Sequence, residues 1–112
     1  MKLLIIDDNK PIRQMIKDIL ENKFEHIYEH HDGLGAEEKY TECMPDFVVI
    51  DIKMKNVDGI QATKNIIKKY PQSRIIVISQ YSDEETINES YSAGAIKFIS
   101  KENLTDLIDF FQ

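Results

Sequence analysis

A short apolar run near the start of the chain, Leu3-Leu4-Ile5-Ile6, is followed at once by two acidic residues, Asp7-Asp8. Three further runs of this length occur later, at Phe47–Ile50, Ile75–Ile78 and Ile96–Ile99, the last of which contains one lysine. Four apolar residues in a row are typical of a parallel strand that is buried on both faces of a sheet. A more polar segment, Glu25–His30, is expected to form a strand at the edge. The pattern therefore predicts five strands.

Amphipathic patterns fill the gaps between these strands and continue after the last one. Their apolar residues recur at intervals of three and four positions, which gives a helix one buried face. Asn9 and Asp58 are suitable N-cap residues, because their side-chain oxygens can accept hydrogen bonds from the free backbone N–H groups of a helix end. We expect helices to begin near the following residues: Asn9, Leu34, Asp58, Ser82 or Asp83, and Asn103.

A strand followed by a helix, repeated five times, predicts the α/β class, with one parallel sheet and helices on both of its faces. Right-handed crossovers between parallel strands leave few possible arrangements. With the polar strand at one edge, the doubly wound strand order 2-1-3-4-5 fits best. The length of 112 residues suits a single domain. We expect residues 1–112 to form that domain, with a short final helix.

The composition excludes several classes of protein. Lys and Arg together number 14 and Asp and Glu 20, which gives a net charge of −6. Such a domain lacks the clustered positive charge that nucleic-acid binding needs. A single cysteine, Cys43, excludes an internal disulfide and a cysteine-based zinc site. The apolar runs are too short for a membrane span or a signal peptide, so we expect a cytoplasmic protein that contacts neither membranes nor nucleic acid directly.

Polar residues follow the predicted strands at their carboxyl ends. Asp7-Asp8 follow the first strand, Asp51 the third, Ser79 the fourth and Lys101 the fifth. Because the carboxyl ends of parallel strands meet at the same edge of a sheet, we expect these side chains to share one cleft. Three carboxylates in one cleft repel one another, which raises the pKa of at least one of them.

A hard divalent cation would relieve this repulsion. Mg²⁺ prefers one or two carboxylates, some waters and phosphate oxygens, and Lys101 offers a second positive centre for a phosphoryl group. A carboxylate can itself act as the nucleophile and form an aspartyl phosphate. We expect Asp51 to be that nucleophile, because it stands alone at the middle of the sheet, and the Asp7-Asp8 pair to hold the metal.

These residues, taken in order, resemble the receiver domain of two-component response regulators, from Leu3 to about Leu107. The resemblance depends on the following segments: Asp7-Asp8, Asp51–Gly59, Ser79, Ala93-Gly94-Ala95 and Lys101. It implies the flavodoxin-like fold of receivers and a signalling switch that is controlled by phosphorylation. Such a domain is regulatory, and the only reactions that it catalyses are its own aspartyl phosphorylation and dephosphorylation.

The resemblance also implies roles for the matching positions. Asp51 would accept a phosphoryl group from a sensor histidine kinase in a Mg²⁺-dependent reaction. Asp8, Asp51 and the backbone carbonyl of Lys53 would bind Mg²⁺ directly. Asp7 would act on the metal through a water molecule, and Ser79 would donate a hydrogen bond to a phosphoryl oxygen.

The remaining implied roles concern the response to phosphorylation. Lys101 would pair with another phosphoryl oxygen, and Phe98 matches the aromatic switch position of the family. The Phe98 ring would move inward as Ser79 shifts toward the phosphate, which would change the surface near the fourth helix and fifth strand. That surface would control an output domain or a partner. A second copy of the chain is one expected partner, in a homodimer that forms on phosphorylation.

Three positions depart from the usual family pattern. The family usually has proline where Lys55 stands, so we expect a less rigid loop after Asp51. Gln80 is bulkier than the small residue that usually lies beside the phosphoryl site. Lys101 is followed by Glu102 and not by proline, which resembles the subfamily that carries a helix-turn-helix DNA-binding domain and implies a transcriptional output.

Three other functions stay open at this point. A phosphatase of the haloacid dehalogenase type also uses an aspartate nucleophile with Mg²⁺, but it has a second aspartate two residues later, where this chain has Lys53. A flavodoxin-like electron carrier needs a hydroxyl-rich loop after the first strand, where Asp7-Asp8 would repel the flavin phosphate. A degenerate receiver would act only as an interaction module.

Overall fold

The computed structural model describes residues 1–112 and contains one five-stranded sheet with helices on both faces. The strands are β1 (Lys2–Ile6), β2 (His26–His30), β3 (Phe47–Asp51), β4 (Ile75–Ser79) and β5 (Lys97–Ser100). The helices are α1 (Lys10–Leu20), α2 (Ala36–Cys43), α3 (Gly59–Lys69), α4 (Glu84–Ser92) and α5 (Asp106–Phe110), and a 3-10 turn covers Lys101–Asn103. All neighbouring strands are parallel, in the order β2-β1-β3-β4-β5. The predicted α/β class and strand order are confirmed.

The sheet is covered on both faces, which explains why its central strands do not alternate between apolar and polar residues. In β1, Leu4 and Ile6 belong to a core cluster with residues of α2 and α3. Leu3 and Ile5 belong to a second cluster with residues of α1 and α5. Burying an aliphatic side chain of this size stabilises a fold by about 1.5–3 kcal/mol. This burial on both faces stabilises the sheet from which the loops at its carboxyl edge extend.

Carboxylate and amide side chains cap three of the helices. Asn9 and Asp58 cap α1 and α3 as expected, because each accepts a hydrogen bond from the backbone N–H three positions later, at 3.0 and 2.8 Å. Asp83, and not Ser82, caps α4 in the same way, at 3.1 Å. These bonds satisfy N–H groups that a helix end otherwise leaves free. They fix the starting points of three helices that follow loops at the carboxyl edge.

Two helices begin later than their sequence patterns predict. The second begins two residues after Leu34, because Gly35 has a left-handed conformation (φ 83°) that an α-helix does not include. The last was expected from Asn103, but the chain first forms the 3-10 turn, in which Ser100 Oγ accepts a hydrogen bond from the backbone N–H of Glu102 at 3.2 Å. The helix α5 then spans five residues. None of the helices is long and apolar enough to cross a membrane.

Candidate functional site

Three acidic side chains meet at the carboxyl edge of the sheet. Asp7 and Asp8 follow β1 directly, and Asp51 is the last residue of the neighbouring strand β3. One carboxylate oxygen from each lies within 4.8 Å of the others. Asp7 and Asp51 are buried, whereas Asp8 is exposed. The expected convergence of the strand ends therefore occurs, and it leaves the cluster open to solvent on the side of Asp8.

Lys101 brings a positive charge into this cluster from the end of β5. Its Nζ lies 3.0 Å from Oδ2 of Asp7 and 3.2 Å from Oδ1 of Asp51, and its side chain is 16% exposed. Burial opposes the charged ammonium, but the carboxylates of Asp51 and Asp7 outweigh this effect and raise the pKa of Lys101. Lys101 therefore stays protonated between two acidic side chains.

A single ammonium does not balance the acidic cluster. Burial and then the nearby charge of Asp7 raise the pKa of Asp51 to about 6, despite the opposing effect of Lys101. Burial also raises the pKa of Asp7. A carboxyl group that holds its proton is a poor nucleophile and a poor metal ligand, and any added positive charge would favour its ionised form. The cluster is therefore set up to respond to a cation.

The residues of the cluster fit a hard divalent cation. Oδ1 of Asp7 already accepts a hydrogen bond from the backbone N–H of Asn9 at 2.9 Å. Its Oδ2 is buried and is paired with the ammonium of Lys101 at 3.0 Å. Carboxylate oxygens are the ligands that Mg²⁺ prefers. Asp51 offers a further buried oxygen, and Asp8 offers one at the exposed side of the cluster.

The other three predicted site residues lie on β4, in the loop after β3 and on β5. Ser79, at the end of β4, is buried, and its Oγ accepts a hydrogen bond from the backbone N–H of Tyr81 at 3.0 Å. Its hydroxyl hydrogen remains free to donate. Lys53 is exposed in the loop after β3, with its Nζ 5.5 Å from the centre of the Tyr81 ring. Phe98 is partly buried and packs against the core cluster that includes Leu4 and Ile6.

Sequence reasoning missed a set of ion pairs that holds the loop after β1. A terminal nitrogen of Arg13 in α1 donates a hydrogen bond to the backbone carbonyl of Asp7 at 2.6 Å. Its Nε pairs with Glu29 of β2 at 3.0 Å, and Lys17 pairs with the other oxygen of Glu29 at 3.1 Å. One sequence feature could have indicated these ion pairs. Arg13 and Lys17 are four positions apart and share one helix face, and the polar edge strand that follows contains an acidic residue.

Comparison with families and curated proteins agrees with this geometry. The family model described as the response regulator receiver domain matches residues 3–111. The chain is 44% identical over 101 residues to the chemotaxis protein CheY of Bacillus subtilis, which covers 89% of this chain and 84% of that protein. It is also 33% identical over 110 residues to the transcriptional regulatory protein DegU of Brevibacillus brevis, which covers 96% of this chain and 47% of DegU.

Solved structures give the same result. The response regulator domain of Thermotoga maritima CheB matches with a TM-score of 0.88 and 31% identity, over 99% of this chain and 92% of that one. CheY in a complex of CheX, CheY, BeF3 and Mg²⁺ from Borrelia burgdorferi matches with a TM-score of 0.89 and 28% identity, over 100% of this chain and 90% of that one. The present chain therefore belongs to the response regulator receiver domains of two-component signalling.

Proposed function

We propose that residues 1–112 form one receiver unit, which accepts a phosphoryl group on Asp51 from a sensor histidine kinase in a Mg²⁺-dependent reaction. The observation that carries this proposal is the cluster of Asp7, Asp8 and Asp51 oxygens within 4.8 Å, with Lys101 between two of the carboxylates. A bound Mg²⁺ supplies positive charge for phosphoryl oxygens. With a net charge of −6, the unit itself is not expected to contact nucleic acid.

The residues have distinct tasks in this proposal. An oxygen of ionised Asp51 attacks the phosphorus, an O–P bond forms, and the bond between phosphorus and the nitrogen of the kinase histidine breaks. Asp8, Asp51 and the backbone carbonyl of Lys53 would hold the metal, and Asp7 would act on it through a water molecule. Lys101 leaves its position between two carboxylates to pair with a phosphoryl oxygen. Because the pKa of Asp51 is about 6 without a cation, metal binding makes this nucleophile available at lower pH.

Two further residues carry the response. The Ser79 hydroxyl has a hydrogen to donate to the phosphoryl group, since its oxygen already accepts from the backbone N–H of Tyr81. The ring of Phe98 follows inward, and the surface formed by α4 and β5 changes. The backbone N–H of Phe98 donates to the hydroxyl of Tyr91 in α4 at 3.1 Å, which joins the two elements. We propose that this surface controls an output domain or a partner in the cytoplasm.

A transcriptional output is the narrower form of this proposal. It rests on Glu102 after Lys101 and on the similarity to DegU, of which the chain spans about half. The similarity to CheY, a chemotaxis protein, supports a separate partner instead. The mass of the protein in solution, measured with and without BeF3 and Mg²⁺, distinguishes a transcriptional output from a separate partner. A homodimer that appears only with both additives supports a phosphorylation-driven transcriptional dimer, and an unchanged monomer argues against it.

The three other hypotheses have weaker support. A haloacid dehalogenase phosphatase requires an acidic residue where Lys53 stands, and family membership indicates a regulatory domain. Asp7 and Asp8 occupy the place where a flavodoxin-like carrier binds phosphate, and the comparisons give it no support. A degenerate receiver would have lost part of the acidic cluster, whereas Asp7, Asp8, Asp51 and Lys101 lie together.

The decisive experiment is labelling with a small phosphodonor. Acetyl phosphate with Mg²⁺ is expected to add one phosphate to the protein, and intact mass gives the stoichiometry. Asp51→Asn should abolish labelling. Asp83→Asn is the matched control, because Asp83 is an exposed helix cap where asparagine serves equally well. Equal labelling of Asp51→Asn and the wild type would overturn the proposal.

A further inference from the structure

A second buried carboxylate, Asp32, lies in the turn between β2 and α2, outside the acidic cluster. Its Oδ1 accepts hydrogen bonds from the backbone N–H groups of Leu34, Asn56 and Val57, at 3.3, 3.3 and 3.2 Å. Its Oδ2 accepts a hydrogen bond from Nδ2 of Asn56 at 2.6 Å. Asp32 therefore ties the turn after β2 to the loop between β3 and α3, which are far apart in the sequence.

The loop between β3 and α3 is held at both of its ends. The N–H of Gly59 donates to the carbonyl of Ile52 at 2.7 Å, and a Cβ at position 59 would overlap the carbonyl oxygen of Asp51. A Cβ on Gly33, the residue after Asp32, would overlap the carbonyl oxygen of Val57. Both approaches therefore require glycine. Between these fixed points lies Lys53, whose backbone carbonyl is a ligand in the proposed metal site.

The charge of Asp32 is stable. Burial opposes its ionisation, but the hydrogen bonds from Val57, Leu34 and Asn56 outweigh burial and lower the pKa of Asp32 to about 2. Asp51, by contrast, titrates at about 6. Asp32 therefore keeps its four hydrogen bonds over the whole pH range in which the acidic cluster changes its charge.

We propose that Asp32 is a positioning residue for the Mg²⁺ site, because it holds Asn56 and Val57 and thereby fixes the loop that presents the Lys53 carbonyl. The hydrogen bonds from Asn56 and Val57 to Asp32 restrict this loop from outside, three and four residues after Lys53. This inference rests on the proposed function.

The pair of side chains offers a rescue experiment. In Asn56→Asp, two carboxylates would face each other where Oδ2 of Asp32 and Nδ2 of Asn56 now lie 2.6 Å apart, and the loop would be pushed away. In the double variant Asp32→Asn/Asn56→Asp, the amide of the first residue donates to the carboxylate of the second. The carbonyl oxygen of the amide introduced at position 32 still accepts the hydrogen bonds from the backbone N–H groups that now donate to Oδ1 of Asp32. Asn65→Asp adds the same charge on the exposed part of α3 and is the matched control.

Two readouts without any phosphodonor test the inference. The dissociation constant for Mg²⁺, measured by calorimetry, is expected to rise about tenfold in Asn56→Asp, which is typical when a residue that supports a metal ligand is lost. Amide hydrogen exchange in residues 53–57 should become faster. The double variant should recover both values, and Asn65→Asp should behave as the wild type.

Labelling with acetyl phosphate then separates this inference from the proposed function. At saturating Mg²⁺, Asn56→Asp should be labelled at nearly the wild-type rate, because its defect lies in metal binding. A wild-type dissociation constant in Asn56→Asp, or a double variant as weak as the single one, would overturn the role of Asp32. A wild-type protein that binds Mg²⁺ but is not labelled would instead overturn the proposed function.

Discussion

Asp51 and Asp32 each have only 4% of the residue surface exposed, yet their carboxyl pKa values are shifted in opposite directions. The pKa of Asp51 is raised to about 6, and that of Asp32 is lowered to about 2. Asp32 receives four hydrogen bonds from neutral N–H groups. Asp51 faces the acidic residues Asp7 and Asp8 and a single ammonium, that of Lys101.

The difference shows that burial alone does not decide the state of a carboxylate. Burial favours the protonated form of both residues, but only Asp32 has enough hydrogen-bond donors to outweigh it. Asp32 is satisfied by the protein itself, so it serves as a fixed joint between two loops. Asp51 is left with excess negative charge around it, so its surroundings favour a cation. The same residue type thus joins two loops in the turn after β2 and has a proposed chemical role at the end of β3.

The largest expected effect is a difference in the free energy of unfolding between variants of Asp32 and Asp51. Asp32→Ala leaves four partly buried N–H groups without their acceptor, so we expect a loss of about 3 kcal/mol in the free energy of unfolding. Asp51→Asn removes a repelling charge and should leave the free energy of unfolding unchanged or higher. Urea unfolding at neutral pH without divalent cations measures both, and equal losses in the two variants would contradict the comparison.

The pH dependence of stability should have opposite signs for the two residues. Folded Asp51 keeps its proton up to about pH 6, whereas the unfolded chain loses it near pH 4, so stability falls by about 1–3 kcal/mol as pH rises across this interval. Asp32 has a folded pKa of about 2, so its contribution is complete above pH 4 and is lost as pH falls toward 2. Urea unfolding in a chelator over this range checks both slopes.

Asp51→Asn is the control for that experiment. It should lose most of the stability loss seen as pH rises from about 4 to 6, and the remainder belongs to Asp7, whose pKa burial also raises. It should keep the stability loss seen as pH falls toward 2, which belongs to Asp32 and to the other carboxylates whose pKa the fold lowers. A decline between pH 4 and 6 that is as steep in Asp51→Asn as in the wild type would show that other groups cause it.

The smallest of these effects is the stabilisation by Mg²⁺. At a concentration ten times the dissociation constant, binding to the folded state should raise the free energy of unfolding by about 1.4 kcal/mol. Asp51→Asn should lose most of this gain, whereas Asp83→Asn should keep it. Thermal unfolding with and without Mg²⁺ measures the gain, and an equal gain in Asp51→Asn would place the ion elsewhere.

The fold and the acidic cluster could be predicted because their signals are local in the sequence. Leu3–Ile6 and Phe47–Ile50 are apolar without alternation, which is typical of a sheet that is covered on both faces. Right-handed crossovers leave few strand orders, and the polar edge strand favours 2-1-3-4-5 among them. That order brings Asp7 and Asp51 to one edge of the sheet. Each step uses residues that are adjacent in the chain or a general rule of topology.

The role of Asp32 could not be predicted in this way. With Gly33 it forms an ordinary turn dipeptide, and its partners Asn56 and Val57 are 24 and 25 residues away, with no spacing that links them. The predicted start of the last helix was wrong for a different reason. Its apolar spacing indicates a helix from Asn103, but the turn that follows β5 delays the helix.

The central claim is that Asp51 is a destabilised carboxylate that a cation can relieve. Carbon NMR of the aspartate carboxyl groups during a pH titration, with and without Mg²⁺, tests this claim directly. We expect a pKa of about 6 for Asp51 without the ion and a much lower one with it, while the pKa of Asp32 stays at about 2 in both cases. An Asp51 that titrates near 4 and does not respond to Mg²⁺ would contradict the account.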